Sequence, residues 1–234
     1  MFGLFNKSAK SKPDSPSGPP PASPQIVPRI KTLTFLEALK PALANIERMG
    51  GGAEAQTPVS QPLAGDLLVT YALNTPTQFV AINYATMKKC GLDPVSLHGA
   101  AMRSLRNVFD SKGIVLQDLR LYQAIVLGDD FEACALLLPE FWNNLSSKFK
   151  GHPIVVVPSR NALYVMDSRA EIAVDGKTFG PYVILDLMCS TAAKVRDEAQ
   201  AHGLSESVFA WVNGKWEVRG TLGNHASALA IAAP

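Results

Sequence analysis

Arg160 is the side chain in this sequence best suited to recognition chemistry. It follows the apolar run 154–157 in a turn, Pro158-Ser159-Arg160-Asn161, and so belongs at a hairpin tip. A planar guanidinium there grips a carboxylate or phosphate through two parallel N–H donors. The plainer reading is a turn arginine paired with a nearby acid such as Asp167, an exposed contact of small energetic weight.

Asp129, Asp130 and Glu132 cluster where a strand should give way to a helix, and carboxylates there complement the helix dipole and its free N–H groups. Joined by Asp66 or Asp167, the same oxygens would suit a divalent cation. Ser159 is a nucleophile only with a base beside it. His152 sits before the apolar strand, several residues away, so a hydroxyl satisfying the turn is the commoner outcome. Trp142, Trp211 and Trp216 could line a binding surface, but such residues more often build a core.

Other constellations are missing. Gly50-Gly51-Gly52 lacks the Lys-Ser/Thr pair of a phosphate loop, and no G-x-G-x-x-G or G-x-S-x-G occurs. His98, His152, His202 and His225 show no i, i+4 pair, which speaks against a zinc hydrolase. Cys90, Cys134 and Cys189 are odd in number and far apart, so they read as reduced thiols, with Cys134 and Cys189 in buried apolar runs. That usage suits the cytoplasm. Cofactors stay unassigned. The net charge is +2, and Lys7, Lys10 and Lys12 against Asp14 supply all of it, leaving residues 29–234 balanced. A neutral folded part lacks the basic field of a nucleic-acid binder.

The elements that must position these residues follow from pattern. Residues 1–28 read as a Pro/Ser-rich disordered leader, residues 29–219 as a single domain and residues 220–234 as a loose tail. The opening Phe2, Leu4 and Phe5 are too few for a signal peptide or for stable membrane insertion. Residues 34–49 carry apolar side chains at helical spacing, with Thr34 and Glu37 as a capping box and Pro41 as a kink or stop. Residues 53–62 read as linker.

Strands are expected at 67–73, 78–82, 114–116 and 121–127, and helices at 83–90 and after Asp93-Pro94. Residues 131–149 read as two helical pieces divided at Pro139. Hairpins are expected at 154–166, at 172–179 around Asp175-Gly176, and at 208–218 around Asn213-Gly214. A helix over 183–202 should end with Gly203 at its C′ position. This rhythm predicts an α+β fold, one mostly antiparallel sheet built from hairpins with helices on one face.

Three segments, 62–73, 131–142 and 154–164, together resemble the YtpQ-like bacterial family of unknown function. The family pattern carries Asp where this chain has Asn161, and the 172–179 hairpin is an addition to it. The resemblance implies a cytosolic bacterial α+β domain and brings no activity, cofactor or catalytic residue with it. Two functions follow as expectations. The first is a non-catalytic binding or protein-interaction module. The alternative is a small enzyme or ligand-binding protein in which Arg160, with Asp66, Asp130, Glu132 or Asp167, holds an anionic ligand or metal.

Overall fold

A proline does not stop the first strand. In the computed structural model, which describes residues 25–75, 77–127 and 130–230, Gln25–Thr32 forms β1 with Pro28 in its middle. The expected leader therefore ends earlier: its residues 1–24 lie outside the described residues, while Gln25–Pro28 are strand. Pro28 is tolerated because β1 is the edge of its sheet and has one partner strand only.

The strand runs without a loop into α1 (Leu33–Arg48), so Thr32 becomes the N-cap. The expected capping box is not made, since the Thr34 hydroxyl lies 2.6 Å from that of Thr32. Pro41 sits inside α1 without ending it. None of the α1 residues is buried.

The expected linker holds α2 (Ala53–Gln56) and the start of β2 (Ser60–Ala64). Next come β3 (Leu67–Asn74), β4 (Phe79–Ala81), α3 (Tyr84–Lys89) and α4 (Pro94–Lys112). Asp93 caps α4 through the Val95 and Ser96 amides, with Pro94 in the first turn. Strands β1, β3 and β2 make an antiparallel sheet, and β4 adds to the end of β3.

A second sheet takes β5 (Val115–Asp118), β6 (Gln123–Val126), β7 (Pro153–Ser159), β8 (Ala162–Asp167), β11 (Ser207–Val212) and β12 (Lys215–Thr221), in the order β12-β11-β7-β8-β6-β5. Between β6 and β7 lie a 3-10 helix, Glu132–Leu137, and α5 (Pro139–Lys148), divided at Pro139 as expected. A small hairpin, β9 (Ile172–Val174) and β10 (Lys177–Phe179), precedes α6 (Pro181–Ala199).

The α+β class and the antiparallel pairing stand, but the strands divide between two main sheets, not one. Helices on a single face is also corrected. Every residue of β7 is buried, and alternation sends Ile154 and Val156 to one side, Val155 and Val157 to the other. The first side packs on Ile184, Leu185 and Met188 of α6 and on Ala228. The second faces the larger core, shared with the first sheet, α4 and the Trp142 region. Trp142, Trp211 and Trp216 come together there, ring centroids 4.7 and 4.8 Å apart, with each indole N–H bonded inside the protein.

The C-terminal stretch is no loose tail up to residue 230. Gly220 and Thr221 finish β12, and a 3-10 turn, Ala226–Leu229, buries Ala228 completely. Its apolar residues had the wrong period for a helix but the right size to fill a gap beside α6. Residues 231–234 lie outside the described residues.

The two sheets are joined at the β2–β3 turn. Gly65 has φ of 54°, and a Cβ there would lie 2.7 Å from Val218 Cγ2 on β12. Beside it, Asp66 accepts hydrogen bonds from the Ser205 and Ser207 hydroxyls. No helix among the described residues is long and apolar enough to cross a membrane.

Burial predicts where truncation hurts. Leu185→Ala, on the sealed face of α6, should lower the unfolding free energy by about 2–5 kcal/mol in a urea titration. Leu39→Ala, on the half-exposed stripe of α1, should cost far less.

Candidate functional site

The β1 strand places Arg29 and Lys31 two residues apart, hence on one face. Arg29 is only 8% exposed. Its guanidinium carbon lies 4.2 Å from the centroid of the Phe79 ring and 5.4 Å from that of Phe131. Its Nη1 donates to the Asp130 carbonyl at 2.9 Å. Burial pushes the Arg29 pKa down; among the opposing influences are the negative charges of Asp130 and Glu132.

Arg160 reaches the same place from the β7–β8 turn. Its Nη2 lies 3.1 Å from Asp130 Oδ2. Asp130, at φ 61°, thus holds one arginine by its carbonyl and another by its carboxylate. The expected Arg160–Asp167 pair is not formed, because the two residues stand at opposite ends of β8, about 16 Å apart along a strand of that length. Asp167 instead caps the amides of Lys150, Gly151 and Arg169.

Three of the proposed residues therefore gather around Arg29: Arg160, Asp130 and Glu132. Glu132 is buried, and its Oε1 accepts from the Leu127 amide at 3.2 Å. Asp66 is engaged by Ser205 and Ser207. A shared cation site of Asp66 or Asp167 with Asp130 and Glu132 is not assembled, and no metal-holding group of three or more His, Cys, Asp or Glu occurs among the described residues. Asp129 lies outside the described residues.

The other expectations resolve locally. The Ser159 hydroxyl donates to Asn161 Oδ1 at 2.7 Å, while the His152 ring faces Ser168, so no nucleophile–base pair exists there. Cys134 and Cys189 are buried, with burial raising their thiols to about 11 and about 12; Cys90 is exposed.

Arg160, Arg29 and Lys31 open onto a cleft of about 510 Å³. Its far wall is the end of α6 and the turn after it, with Arg196 and Leu204, and α1 contributes Phe35. Arg196 Nη1 lies 2.8 Å from Glu206 Oε1, and its Nε donates to the Leu204 carbonyl. The cations line the cleft, whereas Asp130, Glu132 and Glu206 stay outside its lining; Asp197 is the acid within it.

Lys31 differs from the three arginines: its ammonium has neither a hydrogen bond nor an ion pair among the described residues, and its Nζ lies 5.1 Å from the centroid of the Phe35 ring. Burial, then the charges of Arg29 and Arg160, push its ammonium below the ordinary lysine value.

The helix end beside the cleft is strained. Gln200 holds φ 49° and ψ −115°, a conformation normally left to glycine. The expected left-handed Gly203 has φ −58° instead. It is glycine because a Cβ would come within 3.0 Å of the Arg196 carbonyl.

Arg29, Lys31 and Arg196 were missed by sequence reasoning. The signal was the alternation in Val27-Pro28-Arg29-Ile30-Lys31, which puts two cations on one strand face, hidden by the proline-rich residues before it. No family model, curated protein or solved structure matches the chain. Function must come from the cleft itself.

Two substitutions check this geometry. Arg160→Ala should leave the fold intact, costing within about 1 kcal/mol in denaturant titration, since its one ion pair is partly exposed. Gln200→Gly should raise the urea midpoint, by about 1 kcal/mol of stability once relieved strain is set against glycine's entropy.

Proposed function

We propose that this protein is a non-catalytic binder of a small anionic ligand, held in the cleft between β1, the β7–β8 turn and the end of α6. The observation that carries the reading is Lys31, a half-buried lysine beside two arginines with no carboxylate to answer it. An isolated fold gains nothing from such an arrangement; a bound phosphate or carboxylate turns the repulsion into attraction. Arg160, with donors beyond the one given to Asp130, supplies directional contacts. A cleft of about 510 Å³ has the size of a small-molecule site.

The balanced charge of residues 29–234 supports a small ligand over nucleic acid. The buried, unpaired thiols support a cytoplasmic setting. The YtpQ-like resemblance is compatible with the proposal, because it assigns no competing activity. A second reading, a protein partner, has one supporting observation: the apolar stripe Phe35, Leu36, Leu39, Leu43 and Ile46 of α1 is nowhere fully buried.

Inorganic phosphate tests the first reading. It should raise the melting temperature of the wild type in a saturable way and leave Lys31→Met unmoved. The same variant should be more stable than wild type without phosphate. The unfolded chain keeps a lysine value near 10.5, and below the lowered folded value both states are charged, so only the folded state bears the cost of confinement. If Lys31→Met still responds to phosphate, the assignment fails.

Sulfate, whose charge is constant over the range, gives the pH dependence. Binding stabilises the Lys31 ammonium and so raises its pKa. Affinity should therefore fall as pH rises through the lowered value of the free protein, with proton uptake on binding seen by calorimetry in two buffers.

A further inference from the structure

Resting on that reading of the cleft, we infer that its ligand carries a carbonyl group next to its anionic group, and that the Lys31 amine condenses with that carbonyl to form an imine. Four features of the cleft lead there. Lys31 projects from the same face of β1 as Arg29, so an anion gripped by Arg29 and Arg160 is presented within the same cavity. No carboxylate among the described residues pairs with the Lys31 ammonium. The Phe35 ring covers one side of Nζ and limits its hydration. The surrounding charge is of its own sign, and amines desolvated beside cations are the ones that act as nucleophiles toward carbonyls. The lowered pKa of Lys31 agrees with this.

The step balances without a further reagent. The Lys31 ammonium first releases a proton to solvent; the neutral amine then donates its lone pair to the carbonyl carbon, and the carbonyl π pair moves to oxygen. Proton transfer from nitrogen to oxygen gives a carbinolamine. A second proton converts the hydroxyl to water, which leaves as the C=N bond forms and nitrogen releases its remaining proton. Water adding back reverses the sequence. The arginines supply no covalent chemistry; they select aldehydes and ketones that carry a carboxylate or a phosphate and place the carbonyl at Nζ. Arg196, already paired with Glu206, bounds the other end of the cavity.

Reductive trapping tests the inference on the full chain. The protein is incubated with cyanoborohydride and, in separate reactions, glyoxylate, glycolaldehyde phosphate or neutral propionaldehyde. Modified lysines are then ranked by peptide mass spectrometry over time. The expected result is that an anionic aldehyde modifies Lys31 ahead of every other lysine. Inorganic phosphate should suppress this, Lys31→Arg should abolish it, and propionaldehyde should show no such preference. Preference for glyoxylate alone supports a carboxylate-bearing carbonyl, and preference for glycolaldehyde phosphate alone supports a phosphate-bearing one. If phosphate binds by calorimetry but Lys31 reacts no faster than exposed lysines, the imine is overturned and anion binding stands. Equal labelling by propionaldehyde overturns the anionic class of substrate. If phosphate neither binds nor protects, the cleft is not an anion site and both readings fall.

Discussion

A guanidinium taken out of water must find new partners, and the way Arg29 does so organises one end of this molecule. Burying an unpaired charge is among the costliest things a fold can do. Arginine is the cation best able to bear it, because its planar head is weakly hydrated and stacks on aromatic faces. Here one ring comes from β4 and the other from the start of the 3-10 segment, while the hydrogen bond goes to the Asp130 carbonyl. Those groups belong to the first sheet and to the connection leaving the second. Arg29 is thus a polar rivet between the two layers, as Asp66 is at the β2–β3 turn. Asp130 then fixes Arg160, so the position of the hairpin tip depends on the same buried charge.

The rest of the cleft follows from this placement. With Arg29 and Arg160 set on one wall, Lys31 has no choice of neighbours, since strand alternation returns it to the same side. The acids around the cleft are committed to the arginines: the Asp130 carboxylate to Arg160, and Asp197 and Glu206 to Arg196. What distinguishes the cleft is less the number of its cations than the preoccupation of the carboxylates that might have quenched them.

Local chemistry was readable where one or two residues decide the backbone. Asp175-Gly176 and Asn213-Gly214 all hold positive φ in their hairpins, and Asp93-Pro94 opens α4 as its residue types require. Arg160 was correctly placed at a tip. What escaped was non-local. Pro28 and the proline-rich residues before the strand disguise β1, and without β1 nothing divides the strands between two sheets. Without β1, Arg29 and Lys31 have no placement, and the sequence offers Arg160 with acids where the structure gathers Arg160 with further cations. The pairing of Arg160 with Asp130 spans a turn and a helical connection, a distance no periodicity encodes.

The same long reach has a consequence for biosynthesis. Arg29 bonds to a residue 101 positions later, and Asp66 is anchored by serines 139 and 141 positions later. As the chain leaves the ribosome, the first sheet can pair with itself and pack on α4 early, yet Arg29 lacks Asp130, and Asp66 its serines, until those later segments have emerged. Contacts of such separation are slow to close. For most of synthesis the nascent chain therefore exposes an unfinished interface, and its solubility in that interval rests on whatever shields it, not on the native structure.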